Sequence, residues 1–457
     1  MSCVVTLAQL LSLLNAQALH PLSEELGAKQ ALGMITDTRS LRAGEVFVAL
    51  RGTQFDGHQF IGSAFDKGAI AAIVDRNYVS PNPDWPLLVV PDTLAAYQAI
   101  AHWWRTQFDI PVIGVTGSVG KTTTKELISA VLNTQGPVLK TEKNYNNEIG
   151  VPKTLLNLTA DHHYAVIEMA MRGTGEIALL AEIAAPTIGV ITNVGTAHIE
   201  RLGSEEAIAK AKCELLEKMS PEGIAVLNYD NSRLIETAAK VWSGKTLTYG
   251  LTGGDLQGTL KAGDVLEVEG TTFPVPLPGE HNALNYLAAL AVAKLLNVSW
   301  EPLKSGLAVE LPDGRARRYE LANDIVILDE TYNAGLESMT AALQMLAKTP
   351  GKRHIAVLGT MKELGERSLE FHQRIGSVAQ SLNLDGLFIF ADPAEAAAMA
   401  KGATGLPLVE IIDIEQQNAH DYLCQRVKDW VKSGDRILFK ASHSVQLDRV
   451  VEKFRAA

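Results

Sequence analysis

GVTGSVGKTTTK, Gly114 to Lys125, is the stretch that decides the fold. It follows IPVIGV, an apolar run short enough for a strand. It opens KTTTKELISAVLN, where Leu127, Ile128, Val131 and Leu132 share one helical face. Strand, glycine turn and helix in that order make a phosphate cradle. The turn lets backbone N–H groups converge on phosphate oxygens, and the helix N-terminus adds a favourable dipole. The usual spacing is G-x-x-x-x-G-K-[ST]. Lys121 would then call for glycine at 115, which is Val115; Gly114 and Gly117 flank it. The core GxxGKTT survives as Gly117, Ser118, Val119, Gly120, Lys121, Thr122 and Thr123. Lys121 can reach β- and γ-phosphates, and the Thr122 hydroxyl can meet Mg2+. A plain glycine turn beside a solvated lysine explains the glycines but not the agreement of lysine, threonines, strand and helix.

Downstream, YAVIEMA, TIGVITNVG and GIAVLNYD read as strands with helical patterns between them, as a parallel sheet covered on both faces requires. Ligands of such sheets gather beyond the carboxyl ends of the strands. Glu168, at the end of AVIEM, is a candidate Mg2+ ligand through oxygen; a solvated strand end is the bland reading. Asn193 ends IGVITN and His198 follows in the loop, where a local hydrogen bond would account for it equally. Residues 247–279 read as an antiparallel insert, and HNALNYLAALAVAKLLN as a strong helix.

Upstream, Leu7, Leu10, Leu11 and Leu14 are spaced as an amphipathic helix. Short strands follow in GMITDTRS, GEVFVAL, AIAAIVD and PLLVV, then a helix from about Thr93 to Phe108. After LPDGRARRYE, a plausible boundary, the strand candidates DIVILDE, RHIAVLG, LDGLFIF, PLVEII and DRILFKA alternate with helices. The expectation is an α/β protein of three domains. These are a small mixed α/β substrate domain (1–85), a central parallel-sheet P-loop domain (86–312) and a Rossmann-like C-terminal domain (313–457).

The 457 residues are 47% hydrophobic and 20% charged, which is ordinary globular composition long enough for two or three domains. A net charge of -11 without a basic stripe argues against nucleic acid. Cys3, Cys213 and Cys424 are scattered, with no metal or disulfide spacing. The apolar start has no lysine or arginine before Lys29, unlike a secretory signal, and no apolar run is long enough to span a bilayer. A soluble cytoplasmic protein is expected.

GVTGSVGKTTTKE, TEKNYNNEIGVPKTLLNL, EMAMRGTGEI, TNVGTAHIERLGSEEAIAKAKCELL, GEHNALNYLAAL and LDETYNAGLESMTAAL together closely resemble the Mur ligases, over essentially the whole chain. Within that family the segments are most similar to those of members that add D-alanyl-D-alanine to UDP-N-acetylmuramoyl-tripeptide. The resemblance implies an ATP- and Mg2+-dependent amide ligase of peptidoglycan synthesis, working through an acyl phosphate, as a monomer. It assigns Lys121 to phosphate, Thr122 and Glu168 to metal, and His198 to a second metal or to assisting the amine. Lys212 matches a lysine that many members carry as a carbamate, although by itself it reads as a helical surface lysine. Asn282 and Asn285 are implied near the nucleotide base, and Arg315 and Asp329 near its ribose and phosphates. Thr38, Arg39 and Ser40, with Phe55, Asp56, Gly57 and His58, resemble the uridine-nucleotide segments. Asn144, Asn146, Asn147, Tyr332 and Asn333 are implied on the peptide and amine side.

The chain departs from the family pattern in four places. Ala170 stands where glycine is usual; Glu330 with Gly335-Leu336 alters the DDTYNANP string; Thr360 replaces an aspartate; and His443 replaces an arginine. None of these is Lys121, Thr122, Glu168 or Lys212. The rival readings are the family member that adds a diamino acid one step earlier, a folate-glutamate ligase, and a P-loop switch or scaffold. No DNPR string, expected of the first, occurs, and DTRS and DGH argue against the second.

Overall fold

A computed structural model describes residues 3–19, 23–52 and 55–456. Its centre is a nine-stranded sheet built around the strand Val112–Thr116. That strand lies between Tyr164–Glu168 and Ile188–Ile191, parallel to both. Val138–Lys140 closes one edge; Ile224–Asn228 and Lys245–Gly250 extend the other, all in parallel. The chain leaves Val112–Thr116 toward one side and later returns to the other. Its carboxyl end is therefore the point where strand order reverses and a crevice opens.

The phosphate motif forms the helix Lys121–Leu132. Leu127, Ile128, Val131 and Leu132 are all fully buried against the helix Glu280–Leu295, whose Ala283, Ala288, Ala289, Ala291 and Ala293 allow close approach. Each such large apolar side chain contributes roughly 1.5–3 kcal/mol by leaving water. The insert expected over 247–279 is antiparallel only in part. Leu256–Lys261 still pairs in parallel with Lys245–Gly250, and only Val265–Val268 and Thr271–Pro274 turn back as a meander.

The first domain is a five-stranded sheet in which Met34–Ile35, Val46–Val48, Ala71–Asp75 and Leu87–Val90 run parallel and Gln17–Ala18 pairs antiparallel at the edge. Leu87–Val90 belongs to this sheet, so we propose drawing the first boundary beyond Val90. The helix Leu7–Leu14 is opened by a capping box between Thr6 and Gln9. Thr93–Arg105, capped by Asp92, carries the chain onto the central domain. There buried Arg105 donates to the carbonyls of Ala184, Ala185 and Phe108, and Gln98 to that of Glu148.

The third domain is a six-stranded sheet. Arg317–Leu321 pairs antiparallel with Ile325–Glu330; Asp435–Lys440, Arg353–Gly359, Gly386–Phe390 and Val409–Ile411 follow in parallel. Among the described residues no helix is long and apolar enough to cross a membrane.

Candidate active site

The crevice at the carboxyl end of Val112–Thr116 is a cleft of about 780 Å³ walled by the central and third domains. Gly120 opens the helix Lys121–Leu132 at φ 81° with no side-chain cap among the described residues, which leaves the first N–H groups of the helix to a ligand in the cleft. A Cβ on Gly120 would lie 2.6 Å from Asn285 Oδ1, and one on Gly117 would strike Thr192 Oγ1. Bare backbone is therefore required at both positions. Lys121 Nζ donates to the carbonyls of Gly117 (2.9 Å) and Ser118 (3.4 Å). Burial lowers its pKa, Glu168 opposes that shift, and Arg315 adds to it.

Thr122 is buried, and its hydroxyl donates to Glu168 Oε1 at 3.1 Å. The same oxygen accepts from Asn146 Nδ2 at 2.9 Å. Glu168 Oε2 is buried with no hydrogen-bond partner among the described residues; the Lys125 ammonium stands 3.9 Å away. A threonine oxygen beside an orphaned carboxylate oxygen fits a hard cation whose other positions are filled by phosphate and water. Fully buried Lys125 is held by the Thr141 carbonyl at 2.7 Å and by Glu126 at 2.8 Å.

His198 sits at φ 66°, and its Nδ1 lies 2.5 Å from Glu363 Oε2 of the third domain. A carboxylate there keeps the proton on Nδ1 and leaves Nε2 free to accept or ligate. Its pKa is lowered by burial, then by Lys121 and, more weakly, by Lys212, with Glu363 opposing. Lys212, read from sequence as a surface lysine, is buried instead. Its ammonium makes no hydrogen bond or ion pair among the described residues, and burial and then Lys121 push its pKa well down. Lys121 thus disfavours the charged forms of both His198 and Lys212, and an anion placed among the three would relieve that repulsion.

Asn282 and Asn285 line the cleft, tied to the Pro278 carbonyl and to Thr124. Arg315 stacks on Tyr332 at 3.8 Å, and His443 lies on the ring's stacked side at 5.7 Å. Arg315 Nε is buried with no hydrogen-bond partner among the described residues. Asn144, Asn147 and Asn333 also face the cleft; Asn147 caps Gly150 and Asn333 receives Lys440 at its carbonyl. Asp329 does not face it: its carboxylate accepts from the Thr331 N–H and hydroxyl, and Glu330 stands on the wall instead.

The first-domain segments lie apart from this cleft. Thr38, Arg39 and Ser40 follow the strand Met34–Ile35; Phe55, Asp56, Gly57 and His58 follow its neighbour Val46–Val48. Asp56 bonds the His58 N–H and ring Nδ1, and His58 Nε2 accepts from the Asp75 N–H. Phe55 is 61% exposed. Arg39 pairs with Asp37, whose pKa falls to about 2 mainly through that bond, with Lys153 a lesser cause. Lys153 belongs to the helix Gly150–Leu155, directly after the asparagine loop. This sheet edge therefore lies toward the asparagine side of the cleft.

Family models match the chain in three blocks: Mur ligase family, catalytic domain over residues 32–103; Mur ligase middle domain over 115–293; and Mur ligase, glutamate ligase domain over 314–443. The UDP-N-acetylmuramoyl-tripeptide--D-alanyl-D-alanine ligase of Synechocystis sp. is 57% identical over 423 residues, covering 92% of this chain and 91% of that one. The chain belongs to the Mur ligase family. Among solved structures, MurF from Acinetobacter baumannii is similar at a TM-score of 0.87 and 29% identity, covering 100% of both chains. A MurF ligase from Thermotoga maritima in complex with ADP is similar at 0.81 and 33% identity, covering 93% of this chain and 97% of that one.

The Mur ligase site includes residues to which the sequence assigned no role. Thr192 Oγ1 donates to the Val119 carbonyl at 2.6 Å, and Asn193 brackets Val119 from both its side-chain atoms. Glu337, Glu363 and Lys440 reach the cleft or its rim from the third domain. Of these, Asn193 carried a signal as a polar residue ending an apolar strand, and Glu337 lay within the family-like segment LDETYNAGLESMTAAL.

Proposed function

We propose that the chain is the ATP-dependent ligase that joins D-alanyl-D-alanine to UDP-N-acetylmuramoyl-tripeptide. The observation that carries this reading is one cleft uniting an uncapped phosphate helix, the Thr122–Glu168–Asn146 cluster and third-domain side chains, in a chain 57% identical to a ligase of that name. ATP with Mg2+ would supply the phosphoryl group that turns the peptide carboxylate into an acyl phosphate, releasing ADP; the dipeptide amine then forms the amide bond at the acyl carbon, expelling inorganic phosphate and giving up a proton.

The chain's task is binding, alignment and exclusion of water. Lys121 exchanges its two loop carbonyls for phosphate oxygens, and the helix N–H groups take further oxygens. Thr122 and Glu168 would hold the metal. Asn146, bonded to the same Glu168 oxygen, places the asparagine loop and hence the acceptor carboxylate beside it. Burial and then Lys121 push the Lys212 pKa well down, toward the neutral form that takes up carbon dioxide, and a carbamate there would be an anion able to interact with Lys121. Free Nε2 lets His198 orient a metal or the incoming amine. Asn282, Asn285 and Arg315 serve the nucleotide, Tyr332 and Asn333 the amine side, and Thr38–Ser40 with Phe55–His58 the uridine nucleotide. We place the activity in the cytoplasm, where ATP and nucleotide-linked precursors occur together.

Phosphate release decides the matter. It should require UDP-N-acetylmuramoyl-tripeptide and D-alanyl-D-alanine together. Equal release with a dipeptide precursor and one free diamino acid would overturn the assignment in favour of the preceding ligase.

A further inference from the structure

The loop after the strand Ile188–Ile191 faces two ways. On one side it holds the phosphate loop. The Asn193 carbonyl accepts from the Ser118 N–H at 3.0 Å, and the Gly195 N–H donates to Ser118 Oγ at 2.8 Å. On the other side it is held by the third domain. The Thr196 N–H donates to Glu337 Oε1 at 2.8 Å, and the Thr196 hydroxyl to Glu337 Oε2 at 3.1 Å. Glu337 stands in the first turn of the helix Leu336–Lys348. A Cβ on Gly195 would lie 2.6 Å from Glu337 Cδ, so the carboxylate is seated where only glycine leaves room. A second tether, His198 to Glu363, and the Glu200 N–H to the Glu363 carbonyl lie a few residues on.

We propose that Glu337 is a positioning residue for phosphoryl transfer. Gripping Thr196 from the third domain, it fixes Gly195 and through it Ser118, so the phosphate loop takes its working shape only when the third domain is docked. The Ser118 hydroxyl oxygen accepts from the Gly195 N–H, and its proton is used in no hydrogen bond among the described residues. It is left to donate into the cleft that Ser118 lines. Small displacements of such donors weaken them steeply, because a hydrogen bond is directional. Residue 337 lies just beyond the altered Gly335-Leu336 pair, within the segment LDETYNAGLESMTAAL.

The inference rests on the ligase reading, and two measurements on the full chain separate them. Binding of a non-hydrolysable ATP analogue with Mg2+, followed by calorimetry, needs no ligase activity. Glu337→Ala should weaken it about tenfold, as expected for loss of a charged hydrogen-bond pair. Glu337→Gln should restore it to within about threefold, since the amide accepts from the Thr196 N–H and donates to its hydroxyl. In turnover, Glu337→Ala should lower kcat about tenfold and leave KM for the UDP-tripeptide within about twofold, a split that general structural damage does not give. Thr196→Val should lose part of the effect, and the double variant should be no worse than Glu337→Ala alone. Should Glu337→Ala fail to fold, Thr196→Ser, which keeps the hydroxyl, against Thr196→Val tests the same bond. Unchanged analogue binding in Glu337→Ala, or losses that multiply in the double variant, overturns the grip. A wild-type chain that binds the analogue but forms no product overturns the ligase reading instead.

Discussion

At the scale of single residues, Lys121 has the clearest consequence. Replacing it with alanine removes the cation nearest the expected phosphates, and ADP formation should fall by about two to three orders of magnitude; an active variant would remove Lys121 from the mechanism. His281 gives a different test. Burial first, and Lys440 next, push its pKa down to about 4 from the ordinary 6.5. The folded chain therefore resists protonation that the unfolded chain accepts. Its contribution is fully present above 6.5 and is lost as pH falls toward about 4, to a limit on the order of 3 kcal/mol. Denaturant unfolding of His281→Gln should show a flatter acid slope than the parent between those values. Lys121 and Thr122 were legible in sequence because strand, turn and helix place them by local spacing alone, and Glu168 because it is a carboxylate ending an apolar strand. Lys125, Thr196 and Glu337 were not, because their partners lie at Thr141, at Glu337 and at Thr196, far along the chain. Asp329, which the resemblance implied near the ribose and phosphates, has its carboxylate engaged by the Thr331 N–H and hydroxyl, a local capture that its position in the strand does not announce.

At the scale of elements, the phosphate turn is the place where backbone conformation and function meet. Gly120→Ala would force a methyl at φ 81° and within 2.6 Å of Asn285 Oδ1. The strain should cost about 1–2 kcal/mol and reduce the thermal shift produced by Mg2+–ATP more than it reduces the stability of the free protein. The strands and major helices were readable because apolar runs of fixed length between turn signals leave few alternatives. The end of the central sheet was harder. Its glycine-rich segment alternates like a hairpin throughout, yet Leu256–Lys261 continues the parallel order, a pairing set by packing and not by local pattern.

Across the whole molecule, the first domain is fastened to the central one and the third is docked on it through polar contacts such as Thr196–Glu337, His198–Glu363, Glu205–Arg367 and Glu280–Lys348. Arg105 is part of the first junction. Arg105→Ala would leave the carbonyls of Ala184, Ala185 and Phe108 without their donor and should lower stability by roughly 2–3 kcal/mol, seen as an earlier thermal midpoint with ATP affinity little changed. Sequence alone could indicate three domains but not this asymmetry, which depends on side chains meeting across boundaries. The Thr196 amide has a further use. Its hydrogen is given to an acceptor in another domain. Deuterium can replace it only when the two domains part. The exchange rate of that single backbone site is therefore a built-in counter of opening events, and its slowing on addition of each substrate would give the order in which they shut the enzyme.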